Sequence, residues 1–139
     1  MSTTHETLDL EEARRIIAAA TQKATALGQP MNVAVVCAGG YLLAFERMAG
    51  AWLGSVDIAQ KKAWTSRAFN ISTQDLGKNS QSGDQFFGIH ASNDGKVMIF
   101  AGGLPIKKGD KIIGAIGVSG GSGEQDHAVA QAGAAVITA

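Results

Sequence analysis

The sequence predicts an α+β fold: a central, largely antiparallel sheet with helices packed on it. Three observations predict it. Apolar runs at 32–37 and 41–47 flank Ala38-Gly39-Gly40, which reads as a three-residue hairpin turn. Strand-like runs at 97–100 and 111–118 form a later pair. Helical periodicity precedes the first pair, separates the two pairs and follows the second, giving the order α, β, β, α, short helical pieces, β, β, α.

The first helix is expected over Leu8 to Leu27. Leu10, Ala13, Ile17, Ala20, Ala24 and Leu27 recur at three- and four-residue steps and so share one face. Asp9 suits the N-cap, Glu12 the capping-box position, and Gly28 followed by Pro30 the stop. In the strand at 32–37 both faces are apolar, so cover on both sides is expected, with Cys37 as an inert core thiol. Met48 to Gly54 reads as a loop with an exposed Trp52. A second helix is expected over Ser55 to Phe69, with Ser55 as N-cap. Val56, Ala59, Ala63 and Trp64 would face inward, and Lys61, Lys62 and Arg67 would form its polar side. Ser72 or Thr73 would cap a short turn reaching Leu76, and Lys78 to Asp84 reads as a polar linker.

Val97 to Phe100 then reads as a strand, and Gly102-Gly103 as the loop that ends it. Lys107-Lys108-Gly109-Asp110 is a polar turn, and Lys111 to Val118 the strongest strand. Gly117 and Gly120 are expected where a β-carbon would collide with a neighbour or demand a disfavoured backbone. Ser119 to Gly123 is a loop opening a helix with Glu124 and Asp126 in its first turn, where the dipole favours acids.

The 139 residues are read as one domain, 1–139, large enough for a core. Apolar residues at 45% and charged residues at 17% fit a globular protein. Twelve basic and twelve acidic residues cancel, so neither nucleic acid nor an anionic membrane is an expected partner. A single cysteine excludes an internal disulfide, and the N-terminal stretch lacks a signal-peptide core. A cytoplasmic protein is the expectation.

The chemistry-bearing residues are sparse. His5, His90 and His127 show no metal-ligand spacing. His5 falls in a terminus, and His90 before the turn signal Asn93-Asp94-Gly95. His127 sits in the first turn of the last helix, where the dipole favours a neutral ring able to ligate iron or shuttle a proton; an exposed first-turn residue is the plain alternative. Gly120-Gly121-Ser122-Gly123 could hold an anion on free amides or serve as a strand-to-helix turn. Arg47 ends a strand and could hold a carboxylate or pair with a surface acid.

Gly102-Gly103-Leu104-Pro105-Ile106, then Gly114 to Gly121, Gln125-Asp126 and Ala132-Gly133 form a block that resembles the GlcG/HbpS-like family. The resemblance extends to Val33-Ala34-Val35-Val36, to Glu46-Arg47-Met48 with Gly50, and to Ile58-Ala59 with Lys62-Ala63. That family includes the haem-binding C-terminal domain of PduO-type adenosyltransferases. The resemblance implies a profilin-like fold, assembly into a homo-oligomer (at least a dimer), and haem as cofactor, linked to haem degradation or redox sensing. It equally implies an alternative: an enzyme or accessory protein of catabolism that takes an organic acid in the same pocket. The chain departs from the family at Cys37, where aspartate is usual, and in its first helix, which lacks the histidine that holds haem in PduO-type domains.

The site is expected where three segments meet. Gly102, Gly103 and Pro105 would offer one loop, and Ser119, Gly120 and Gly121 another. Arg47 would hold a carboxylate or a haem propionate, with Trp52 beside it. Glu124, Asp126 and His127 would supply catalytic titratable groups, with His127 also the metal ligand.

Overall fold

A computed structural model describes residues 1–138. The first helix, α1 (Leu10–Leu27), begins at a true capping box: Glu12 N donates to Asp9 Oδ1 at 2.8 Å and Asp9 N to Glu12 Oε1 at 3.1 Å. It ends at Gly28, whose φ of 70° is left-handed. The buried stripe is Ala13, Ile16, Ile17, Ala20 and Ala24. Leu10 and Leu27, expected inside, are exposed at the helix ends, and Ile16 takes their place. Leu8 lies before the helix but is buried; its N donates to Ile113 O, and its side chain fills the space a side chain at Gly114 would need.

Strands β1 (Asn32–Cys37) and β2 (Leu42–Arg47) form the expected hairpin, with Gly40 at φ 82°. Tyr41, expected in the strand, stays outside it and exposed. Asn32 to Val36 are buried, as the two-faced apolar pattern required, whereas Cys37 is only half-buried. Helix α2 (Gly54–Phe69) starts one residue earlier than expected, and Ser55 is no cap. Instead Ser55 is buried, paired through its Oγ with Ser119 Oγ at 3.1 Å. Val56 and Trp64 are half-buried rather than fully inward. A short helix, α3 (Thr73–Lys78), is capped by Ser72 as expected, and 3-10 turns follow at Ile89–Ala91 and Asn93–Gly95.

The largest shift concerns the third strand. Val97 to Phe100 is not a strand. Its Met98 N donates to Thr65 Oγ1 on α2 at 3.0 Å, so the segment is pinned to a helix instead of a ladder. The strand is β3 (Gly103–Lys108), which corrects the loop expected at 102–106. It pairs with β4 (Lys111–Ser119), so Ser119 ends a strand and does not open the loop. The last helix is α4 (Gly123–Thr138).

The four strands are ordered β2-β1-β4-β3, every pair antiparallel. Helices α1 and α4 cover one face, where Ile16, Ile17, Val33, Val35, Ile116 and Val129 join one core. Helix α2 covers the other, where Ala59 and Ala63 meet Ala34, Val36 and Ala115. This is the α+β sheet-and-helix architecture the sequence predicts. No helix among the described residues is long and apolar enough to cross a membrane.

Candidate functional site

The most unusual group in the molecule is Lys62. Its neighbours in sequence suggest a solvated helix face, yet the side chain is 0% exposed. Ser55, Ala59, Lys62 and Ser66 fall at steps of four, three and four along α2 and are all buried, so Lys62 lies on the inward stripe. Small residues pack the helix close to β4: a Cβ at Gly117 would strike the Ala59 carbonyl and the Ala63 amide. Lys62 Nζ then reaches through to donate to Val118 O at 2.9 Å and to Asp126 Oδ2 at 3.0 Å.

Asp126, on the first turn of α4, is also buried. Its second oxygen accepts from Gly121 N at 2.9 Å, so one carboxylate ties the loop, α4 and α2 together. Burial pushes the Asp126 carboxyl above its ordinary range, while Lys62 and the loop amides pull it back. Burial likewise pulls the Lys62 ammonium down, against the attraction of Asp126. Phe100 closes the outside, with its ring centroid 4.8 Å from Lys62 Nζ and half of its own surface exposed.

The glycines expected to admit a ligand admit protein instead. At Gly102, φ 130°, a Cβ would lie 2.8 Å from Lys62 Nζ and 3.1 Å from Asp126 Cβ. At Gly103 it would lie 2.6 Å from Lys62 O, and Gly103 N donates to Thr73 Oγ1 at 2.8 Å. Gly120, φ 153°, packs on the Pro30 carbonyl, as expected for a glycine with no room for a side chain, and its own carbonyl accepts from Gln29 Nε2 at 2.8 Å. Gly121 packs between Gln125 and Gln29.

Arg47, Asn32 and Ser119 lie side by side across β2, β1 and β4 at one end of the sheet. Trp52 joins that corner through its carbonyl, which accepts from Asn32 Nδ2 at 3.0 Å, while its side chain is 62% exposed. Pro105 lies on β3 and Arg47 on β2, the two outer strands, so two inner strands separate them. Glu124 is exposed. His127 is half-buried, and its Nδ1 is enclosed with no hydrogen-bond partner. Among the described residues no cluster of three or more His, Cys, Asp or Glu side chains could hold a metal ion.

Lys62, Phe100 and Thr73 were not foreseen as part of this centre. Two signals pointed to Lys62: the small-residue stripe on α2, on which a lysine must face the core, and the Lys62-Ala63 pair within the family resemblance.

The corrinoid adenosyltransferase PduO of Salmonella typhimurium is 36% identical over 135 residues, which is 97% of this chain and 40% of that enzyme. The chain thus spans less than half the length of that relative. The Klebsiella pneumoniae protein ORFY superposes with a TM-score of 0.96 at 35% identity, covering 99% of this chain and 95% of that one. The PduOC:haem complex superposes with a TM-score of 0.90 at 36% identity, covering 94% and 95%. The sequence pattern of the family described as haem degrading protein HbpS-like matches residues 8–135. With its motifs, fold and near full-length match in agreement, the chain belongs to the HbpS-like family.

Proposed function

We propose that this protein binds haem and supports its oxidative degradation. The observation that carries the reading is the near full-length likeness to a protein whose structure is a haem complex. The donor set of this chain fits on one count. A haem iron needs an axial side-chain donor, and α1 supplies no histidine. His127 has the unpartnered, enclosed Nδ1 of a ring that lacks its hydrogen bond. One helical turn earlier, on the same face of α4, a Cβ at Gly123 would lie 3.6 Å from Ala101, the residue that follows the half-exposed Phe100 in the chain. We assign His127 the iron and Phe100 the apolar cover. Arg47, exposed on the outer strand β2 with Asn32 and Ser119 in its row, lies across the sheet from the β3 side and is left out of this site. A bound haem would supply one-electron and dioxygen chemistry.

Haemin titrated into the purified protein should give a sharp Soret band that saturates at one haem per chain. Broad, non-saturating absorbance would overturn the reading. The His127→Ala variant should shift the band, and an unchanged spectrum would remove His127 as ligand. Decay of the band under a reductant in air tests degradation; a stable band would leave redox sensing as the use. We also propose assembly into at least a dimer. Exposed Tyr41, Trp52, Leu53 and Phe87 leave apolar surface to cover. Light scattering that returns the 14.3 kDa monomer at micromolar concentration would refute it.

A further inference from the structure

Arg67 belongs to the other end of the molecule. The corner of Arg47, Asn32 and Ser119 lies at the start of β1, whereas two depressions open near its far end, at Cys37. They share His5 and Arg67. The larger, of about 430 Å³, is walled by Thr7, Cys37, Ala38 and Gly39. The smaller, of about 340 Å³, adds Asn70, Asp110 and Lys111. Both volumes fall in the range of small-molecule sites.

We infer that this is a binding site for a small monocarboxylate with an apolar body, distinct from the haem site. Arg67 Nη1 donates to Asn70 Oδ1 at 2.8 Å, which fixes the plane of the guanidinium. Its Nε is enclosed and has no partner. That enclosure leaves the outer nitrogens of the guanidinium as the donors a carboxylate in the cavity would meet, and Arg67 lines both depressions. The local charge agrees. Glu6 is engaged by Lys108 at 2.8 Å, so Arg67 and Lys111 stand against Asp110. The wall beyond the guanidinium is small and apolar: Ala38, the Gly39 backbone, and the Cys37 thiol, whose sulfur lies 3.7 Å from where a Gly39 Cβ would be. Such a wall selects an anion with an apolar body over inorganic phosphate or sulfate, which would bury no apolar surface there.

Cys37 is the single cysteine of the chain, so its alkylation reports on this cavity alone. Benzoate is the probe and benzamide its neutral isostere. With iodoacetamide followed by mass spectrometry, saturating benzoate should slow alkylation about tenfold, while benzamide leaves the rate unchanged. Arg67→Gln should lose the protection, and His127→Ala should keep it. Ala38→Phe fills the cavity and leaves the guanidinium in place, so calorimetry should detect no benzoate binding to that variant. This decides the matter if Arg67→Gln does not fold. Equal protection by benzoate and benzamide, no protection at about 10 mM benzoate, or benzoate heats retained in Ala38→Phe would each overturn the proposal.

Discussion

Two glycine-bearing ends of the same sheet behave in opposite ways. At one, Gly102, Gly103, Gly117 and Gly120 let backbone and helix close on a buried Lys62–Asp126 pair. At the other, Gly39 and Gly40 turn a hairpin beside Cys37, and space remains next to Arg67. The first end uses its missing side chains for contact, whereas the second keeps such a contact at Gly114, under Leu8, and leaves an opening beside Gly39. Glycine density therefore marks close approach in this fold, and a ligand is only one of the things that can approach.

The sharpest way to break the contrast is to remove the amine at the sealed end. Lys62→Met leaves Asp126 buried without its cation, and unfolding in urea should show a loss of about 3–5 kcal/mol. Adding Asp126→Leu should recover part of it, though Gly121 N then loses its acceptor. A Lys62→Met variant as stable as the parent would show the pair to be incidental.

Gly117→Val comes next. The intruding side chain meets the Ala59 carbonyl and the Ala63 amide, which are backbone and cannot swing away. A cost of about 1–3 kcal/mol is expected, and Gly120→Val should cost a similar amount through its φ of 153°. Thermal midpoints unchanged in both would refute the packing account.

A third test uses pH. Asp126 titrates above its ordinary 3.8 in the folded state, so its contribution to stability is complete below 3.8 and is lost as pH rises through the raised value. Lys62 titrates below its ordinary 10.5, so its contribution is present above 10.5 and is lost as pH falls through the lowered value. The exposed Glu6–Lys108 pair runs the other way. A hydrogen bond from Lys108 lowers Glu6, whose contribution is present above 4.5 and is lost as pH falls through the lowered value. The parent minus the Lys62→Met/Asp126→Leu variant should give a stability difference that falls as pH rises from 3.8. The parent minus Glu6→Gln should give one that rises at the acid end. Slopes of the same sign would sink the comparison.

The smallest effect belongs to the open end. Gly39 has no left-handed φ, and a Cβ there meets the movable ring of Tyr41 at 3.2 Å. Gly39→Ala should therefore change stability by no more than about 0.5 kcal/mol. A loss as large as that of Gly117→Val would erase the distinction between the two ends.

Legibility in the sequence follows the range of the interactions. The Asp9–Glu12 box, the Gly28 stop and the Ala38 to Gly40 hairpin were readable because each is settled within a few residues. Val97 to Phe100 has strand composition, but its partner proved to be Thr65 on a helix, so composition alone misread it. Leu10 and Leu27 fit the helical period but sit at ends that the sheet does not cover. Lys62 was hidden for the strongest reason. A lysine is buried only when a partner is supplied, and Asp126 lies 64 residues away. The same holds for Arg67, placed on a polar helix face by its neighbours and made distinctive by Cys37 and His5 across the fold.

The strand order β2-β1-β4-β3 has a consequence for how the chain is made. Each hairpin is local, but β1 finds its second neighbour only in β4, with Asn32 opposite Ser119. The first half of the chain therefore waits on the ribosome with one apolar strand edge unpaired until the last quarter emerges. Joining the hairpins carries most of the loop-closure cost, which makes that step the natural kinetic barrier. Until it is crossed, Val33 to Val36 form an exposed β-branched edge suited to pairing with another chain. Slow refolding at high protein concentration is where this architecture is most exposed to aggregation.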